Sequence, residues 1–485
     1  MGAAALLVMA GACQRNPDTS GLTAGGEDGG ETGTAETTSG GPVATDTGAA
    51  DESSGTEGAA APLYDVGGIP DSPPPPTNCD GGGSGGNGNG GPQFSFIWVA
   101  NSGEATVSKI DTVTLEEVGR YRTHPVQGDP SRTSVSLNGD VAIANRNGGL
   151  VKFYANPAHC VDRNNDGQIQ TSSGADDVLA WDDEECRAWF TEFDYQSQRP
   201  VAWTPGEWNQ SQCRYINEKV WTSGTNGGWG GKFPGFPGDD GGVDPGEPVE
   251  PGGEGEPGKP GLPPPPGGGG GGKGAGVDVI LVNGDSGEVE ELVNVPEVQP
   301  DGFGLYGGAV DNAGNFFGTQ LGYGHIVRVQ LSDLEPTVWP QVNGGYGMTV
   351  DQEGRVWTCD YQAGRFDPQT EQWDVANTVG GGGSGCMVDA EGILWVGGTT
   401  LTGIDTDTME VVATHNINGG KWDYLKGISV DFAGFVWAVT TSDRAYRIDP
   451  ETGEYETVFG LVSPYTYSDM TGFALANVGG WTPAG

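Results

Sequence analysis

Positive charge is the scarcest property of this chain. Lys and Arg number 22 against 66 Asp and Glu, a formal net charge of −44. So acidic a chain repels phosphate backbones and anionic bilayers, which excludes nucleic acid and a directly bound lipid surface as partners. Histidine is also rare, with four copies: His124, His159, His325 and His415. No zinc-ligand spacing, serine elbow or phosphate-binding loop occurs, and no catalytic residue is assigned. The opening run Met1–Cys13 is apolar but too short to span a bilayer.

Glycine and proline are abundant, at 89 and 33 residues, and much of the excess lies in two stretches that should not fold. Residues 14–92 hold a dozen acids and one base, Arg15, among Gly, Ser, Thr, Ala and Pro. Such a segment cannot bury enough apolar surface to offset its ordering entropy, so it reads as a disordered acidic tether. Residues 224–276 are Gly, Pro and Glu, with Pro263–Pro266 and a run of six glycines, and read as a second disordered stretch. Residues 1–13 read as an export signal. Its end, Ala10-Gly11-Ala12-Cys13, resembles a bacterial lipobox, although no Lys or Arg precedes it and Leu is absent three before Cys13. Lipidation at Cys13 and an ordinary cleaved signal both remain open. In the lipoprotein pattern Gln14 after the Cys implies the outer membrane, facing periplasm or exterior; the ordinary signal implies secretion.

The remainder, residues 93–485, repeats itself. Gly427-Ile-Ser-Val-Asp431-Phe-Ala-Gly434-Phe-Val-Trp437 is written again around Asp389, Gly392 and Trp395, and around Asp351, Gly354 and Trp357. A weaker copy surrounds Asp311, Gly314 and Phe317. The aspartates are 40, 38 and 42 residues apart. Each Asp-x-x-Gly is a tight turn between β-type runs. A later Asp-Pro-x-Thr-type turn, as at Asp449 and Asp367, joins two more. A four-strand unit of about 40 residues is the mark of a propeller blade. Adding Phe96–Tyr121, Ser134–Phe153 and Val201–Glu288 gives seven blades. Blade one lacks a leading strand, and Thr471–Val478 is expected to supply it and close the ring. The reading is an all-β, seven-bladed β-propeller closed by a C-terminal strand. The repeated tryptophans are core and the repeated aspartates turn caps.

Residues 156–200 are expected as an insertion carrying one chemical motif. Asp162-Arg-Asn164-Asn-Asp166-Gly167-Gln168-Ile169 matches the first positions of an EF-hand-type loop. Oxygens at alternate positions face one centre, Gly167 makes the bend, and the Gln168 carbonyl is a further ligand. Ser173 stands where the bidentate Glu belongs; Asp176 or Asp177 could substitute. One structural calcium ion is expected, a solvated Asn/Asp turn being the alternative. Six cysteines besides Cys13 permit disulfides. Cys160–Cys186 would staple the calcium loop, with Cys213 an alternative partner for either. Cys359 and Cys386 lie in adjacent blades and could meet. Cys79 would then be spare or bonded to Cys213.

The repeat resembles those of the virginiamycin B lyase (streptogramin lyase) and NHL propeller group, over about residues 94–478 apart from the insertions. The resemblance implies the fold. For the lyase members it also implies elimination on a cyclic depsipeptide lactone by a His base, acidic residues and magnesium. Only His325 lies on a plausible loop, and no His-x-Glu or paired Glu stands near it. The chain is therefore expected to be an envelope binding or scaffolding module, with a lyase-like enzyme as the alternative. Its ligand would be a protein, peptide or glycan, and the chain a monomer. In propellers, blade-joining loops and second-to-third-strand loops share one face. Here these loops carry Tyr306, Tyr346, Trp422, Tyr424, Tyr465 and Tyr467, then Tyr323, His325, Asp360, Tyr361, Arg365 and Arg444. Such a face suits recognition; packing between blades is the alternative for each aromatic.

Overall fold

The computed structural model describes residues 95–226, 276–300, 302–322, 324–377, 383–417 and 423–484. Cys13, Cys79, Tyr323, Trp422, the signal and the tether fall outside them, as do residues 227–275 of the second insertion. Among the described residues no helix is long and apolar enough to cross a membrane.

Seven antiparallel blades follow one another in chain order, and a two-stranded hairpin, Glu207–Asn209 with Arg214–Ile216, lies within blade three. Blade seven shows why. Leu425–Val430 turns at Asp431 into Val436–Thr440, which pairs with Arg444–Ile448 and then Tyr455–Phe459. The turn forms because Asp431 Oδ1 accepts the backbone N–H of Ala433 (2.9 Å) and Phe435 (3.0 Å). Gly434 supplies the φ of 85° that the turn requires. Asp431 Oδ2 accepts the Trp437 indole N–H at 2.9 Å. Asp389 and Trp395 repeat this bond at 2.6 Å, and Asp351 and Trp357 at 2.7 Å. The aspartates are therefore turn caps, as expected, and also indole acceptors. In blade four Phe317 replaces Trp, and Asn315 Nδ2 donates to Asp311 Oδ2 instead (2.9 Å). The outer turns use the same device, with Asp367, Asp405 and Asp449 each accepting two backbone N–H groups from just downstream.

The second insertion opens between the second and third strands of blade three, Lys219–Thr225 and Val277–Asn283, as read from sequence. The first insertion is shorter than expected. Arg187–Thr191 is the outer strand of blade two and Ser197–Trp203 the inner strand of blade three, so the excursion ends before Arg187. The mixed polar composition there masks both strands. Two disulfides form as expected, Cys160–Cys186 and Cys359–Cys386, the second joining blades five and six. Cys213 is disulfide-bonded too.

Closure departs from expectation in its residues. Blade one has three strands of its own: Phe96–Asn101, Thr106–Asp111 and Glu117–Arg122. The segment Pro464–Met470, not Thr471–Val478, runs antiparallel beside the first. Trp98 N–H donates to the Met470 carbonyl (2.9 Å), Tyr465 N–H donates to the Ala100 carbonyl (2.9 Å), and Asn101 bridges Pro464. Phe473–Gly479 is an α-helix, α1. Asp469 initiates it by accepting the N–H groups of Thr471, Gly472 and Leu475. Gly480, at φ 64°, ends it. The run Phe-Ala-Leu-Ala-Asn-Val before a Gly pair is a better helix than strand, and that signal was present in the sequence.

Helix α1 buries Phe473, Leu475, Ala476 and Val478 in the ring. Asn477 Nδ2 donates to the carbonyls of Val388 and Asp389, and Ala484 N–H donates to the Leu137 carbonyl. Beside α1 the channel keeps a cavity of about 30 Å³ lined by Ser134, Met348, Met387, Asp469 and Leu475. That holds a water or two and no ligand.

Burial pushes the Asp469 carboxyl up to about 6 from an ordinary 3.8, against the backbone N–H bonds it accepts. A raised carboxylate contributes stability that is complete below about pH 4 and is lost as pH rises through about 6. Thermal unfolding across pH 4–8 should show wild type losing roughly 3 kcal/mol more than Asp469→Asn over that rise. Parallel curves would contradict it.

Candidate functional site

The expected ligand face separates into two layers. The inner layer fills the channel mouth. Tyr306 and Tyr346 precede the inner strands of blades four and five, Gly307–Val310 and Gly347–Val350; Tyr465 and Tyr467 lie on the closing segment. All four are buried and form one cluster. Tyr306 and Tyr465 hydroxyls are 2.9 Å apart, and Tyr346 bonds Tyr465 as well. Burial among the other tyrosines pushes the Tyr346 hydroxyl well above its usual range. Tyr306, Tyr346 and Tyr467 are thus packing residues of the plugged mouth, not exposed contact surface. Phenols fill that space while bonding one another.

Cations surround the cluster. Arg132 sits 3.0 Å from the Tyr467 ring centre and 4.8 Å from that of Tyr306, and donates to the Tyr306 carbonyl at 2.8 Å. Arg199 is 4.4 Å from Phe303 and 4.9 Å from Tyr306. Arg146 lies 4.3 Å from Tyr465 and pairs with Asp129 (2.7 Å). Lys426 is 3.7 Å from Tyr346. Sequence reasoning missed these four residues. The signal available was a basic residue at the start of an inner strand in a chain where bases are rare: Pro130–Val135, Ser197–Trp203 and Leu425–Val430 each contain one.

The outer layer is polar and more open. Asp360 accepts the Gly383 N–H (2.6 Å), and Lys426 donates to the Gly383 carbonyl (2.9 Å), so one glycine joins the two charges. Burial pushes the Asp360 carboxyl up, opposed by the Gly383 N–H and Lys426. Burial, then Asp360 and Tyr361, push the Tyr424 hydroxyl up to about 12. Tyr361 is 70 % exposed. Beside this group, Arg444 pairs with Asp443 (2.7 Å) and Asp423 (3.5 Å), and Tyr446 donates to Asp423 (2.6 Å).

Two expected face residues lie elsewhere or do other work. Arg365 is inside the strand Gln362–Asp367, because the second-to-third-strand turn of blade five spans only Asp360 and Tyr361. It pairs with Asp374 (2.6 Å) and donates to the Thr406 carbonyl of blade six. His325 opens the strand His325–Val329, its Nδ1 3.1 Å from Gln320 Oε1.

The candidate metal loop adopts a tight turn. Asp162 accepts the N–H groups of Asp166 (3.2 Å) and Gly167 (2.9 Å), Asn164 Oδ1 that of Asp166 (2.8 Å), and Asp166 that of Gln168 (2.8 Å). The Gln168 N–H, then the side-chain amides of Gln170 and Asn164, hold the Asp166 carboxyl below its usual range. Glu185, not singled out from sequence, accepts N–H groups of Arg163, Asn164 and Gln170 and ties the loop's two ends together. Asp177 accepts the Ser173 hydroxyl. Among the described residues, no group of three or more His, Cys, Asp or Glu is gathered as a metal site.

The class defined by these sheets is the seven-bladed β-propeller. No family model and no curated protein matches the chain. Solved structures do. A streptogramin B lyase matches at 12% identity and TM-score 0.44, over 71% of this chain and 87% of that one. A virginiamycin B lyase from Staphylococcus aureus matches at 13% identity and TM-score 0.39, over 68% and 83%. The dihydro-heme d1 dehydrogenase NirN matches at 10% identity and TM-score 0.43, over 80% and 77%. Lyase propellers are thus among the similar structures, as the repeat suggested. At these identities and TM-scores the likeness decides no activity.

Proposed function

We propose that this protein is an exported, lipid-anchored propeller that binds a peptide, protein or glycan of the cell envelope, working as a recognition or scaffolding module. The observation that carries this is the outer layer at the mouth: exposed Tyr361 beside Asp360, Tyr424 and Lys426. Aromatic area next to fixed charges on rigid strand ends is what recognition needs, and the plugged channel leaves that layer as the accessible part of the mouth. Anchoring rests on the lipobox-like end at Cys13 ahead of an acidic tether. The lyase reading has less support, because His325 faces Gln320 rather than a carboxylate.

Co-sedimentation of the full chain with purified peptidoglycan sacculi and with outer-membrane vesicles tests the binding. Retention should fall several-fold in Tyr361→Ala/Tyr424→Ala, and a palmitate analogue should label wild type but not Cys13→Ala. Equal retention by the double variant, or label persisting without Cys13, contradicts the respective half. Linearisation of a streptogramin B antibiotic with magnesium, lost in His325→Ala, would favour the enzyme.

A calcium ion is proposed for the loop of Asp162, Asn164, Asp166 and the Gln168 carbonyl. Two carboxylates, an amide oxygen and a carbonyl suit a hard cation. Without a bidentate acid the affinity should fall in the extracellular class, roughly 10⁻⁴ to 10⁻³ M. The ion would brace the blade-two excursion that Cys160–Cys186 already staples. Isothermal titration should show binding by wild type and none by Asp162→Ala/Asp166→Ala. Identical traces would refute the site.

A further inference from the structure

We infer that the channel mouth contains an anion subsite formed by Arg132 and Arg199, which takes one oxyanion group, either a small inorganic ion or the acidic terminus of a larger ligand. The argument begins with an imbalance. In a chain with 66 acidic and 22 basic residues, nearly every base should find a carboxylate. Arg146 has Asp129, Arg355 has Asp351, Arg120 has Glu117, and Arg365 has Asp374. Arg132 and Arg199 form no ion pair among the described residues, although both are buried, at 1% and 6% exposure. They are also neighbours: burial pushes the Arg132 guanidinium down to about 9, and Arg199 adds to the lowering.

Two like charges taken out of water together are costly unless something neutralises them. What surrounds them is phenol and phenylalanine: Tyr306 and Tyr467 against Arg132, Tyr306 and Phe303 against Arg199. Ring faces offset part of that cost and accept no hydrogen bond in the guanidinium plane. The donors bear this out. Arg199 Nε and Nη1 are buried with no hydrogen-bond partner, and so is the Tyr467 hydroxyl. Such orphans are rare in a folded interior, because each has lost its water without gaining a partner. Nε and Nη1 are donors of one planar guanidinium, a group that binds the oxygens of carboxylate, sulfate or phosphate.

The subsite sits on blades two and three, at the starts of Pro130–Val135 and Ser197–Trp203. It does not use Tyr361, Tyr424 or Lys426, so it stands or fails independently of the ligand face proposed above. Should both hold, the envelope ligand would carry an acidic group at the end lodged in the mouth.

Thermal unfolding of the full chain in acetate, sulfate or phosphate, each against chloride at matched ionic strength, tests this, and the three arms separate carboxylate from inorganic oxyanions. At least one should raise the melting temperature saturably. Arg199→Met, which keeps the stem and removes the charge, should fold at least as stably in chloride and bind that anion about tenfold or more weakly. Two results would overturn the subsite. One is an anion response equal in wild type and Arg199→Met. The other is a tyrosine titrating below pH 9 in the 295 nm absorbance of wild type but not of Arg199→Met, since a phenolate would then neutralise the pair from within.

Discussion

Three repeats of this propeller, blades five to seven, each hang on one buried carboxylate. Asp351, Asp389 and Asp431 end an inner strand, cap the turn that follows, and accept an indole N–H from the next strand. A buried carboxylate is costly, and here three donors on one group offset the cost. The price still shows in Asp389, which burial lifts to about 6. The return is geometric. One side chain fixes the turn, the strand register and the tryptophan rotamer together, and the tryptophans build the packing between blades. In blade two Asp140 accepts the Ala155 N–H and pairs with Lys152 at 3.0 Å, both fully buried.

Closure follows from the same economy of edges. A ring of sheets leaves no free inner edge only if the two ends of the chain meet, and Pro464–Met470 beside Phe96–Asn101 does this. The chain then turns inward as a helix, held at its start by Asp469. Tyrosines block one end of the channel and α1 the other. That leaves the rim as the open surface, with Arg132 and Arg199 behind it in a mouth of phenols.

Much of the fold was legible. The spacing of Asp, Gly and Trp marked blades four to seven, Gly- and Pro-rich composition marked the insertion in blade three, and the places of the cysteines, bracketing the Asp-rich loop and in adjacent blades, pointed to the two pairs, because these are local features of the chain. Thr471–Val478 was misread because a repeat scheme demanded a strand where Phe-Ala-Leu-Ala-Asn-Val ahead of Gly479-Gly480 favours a helix. Part of the site was hidden for a different reason. Which tyrosines of the face are buried depends on how seven blades converge, a non-local property. Tyr306 and Tyr361 look alike in sequence, yet one is fully buried and the other 70% exposed. Arg132 and Arg199 are 67 residues apart and meet only because inner strands of neighbouring blades start at one rim.

The central claim is that the Asp–Trp bond couples turn to strand in every full repeat. A double-mutant cycle on Asp431→Asn and Trp437→Phe, by denaturant unfolding of the full chain, measures it directly. The account predicts a coupling energy of about 1.5–3 kcal/mol, the range of a buried hydrogen bond to a charged acceptor. Additive losses, with coupling near zero, would mean that the indole and the carboxylate merely lie side by side.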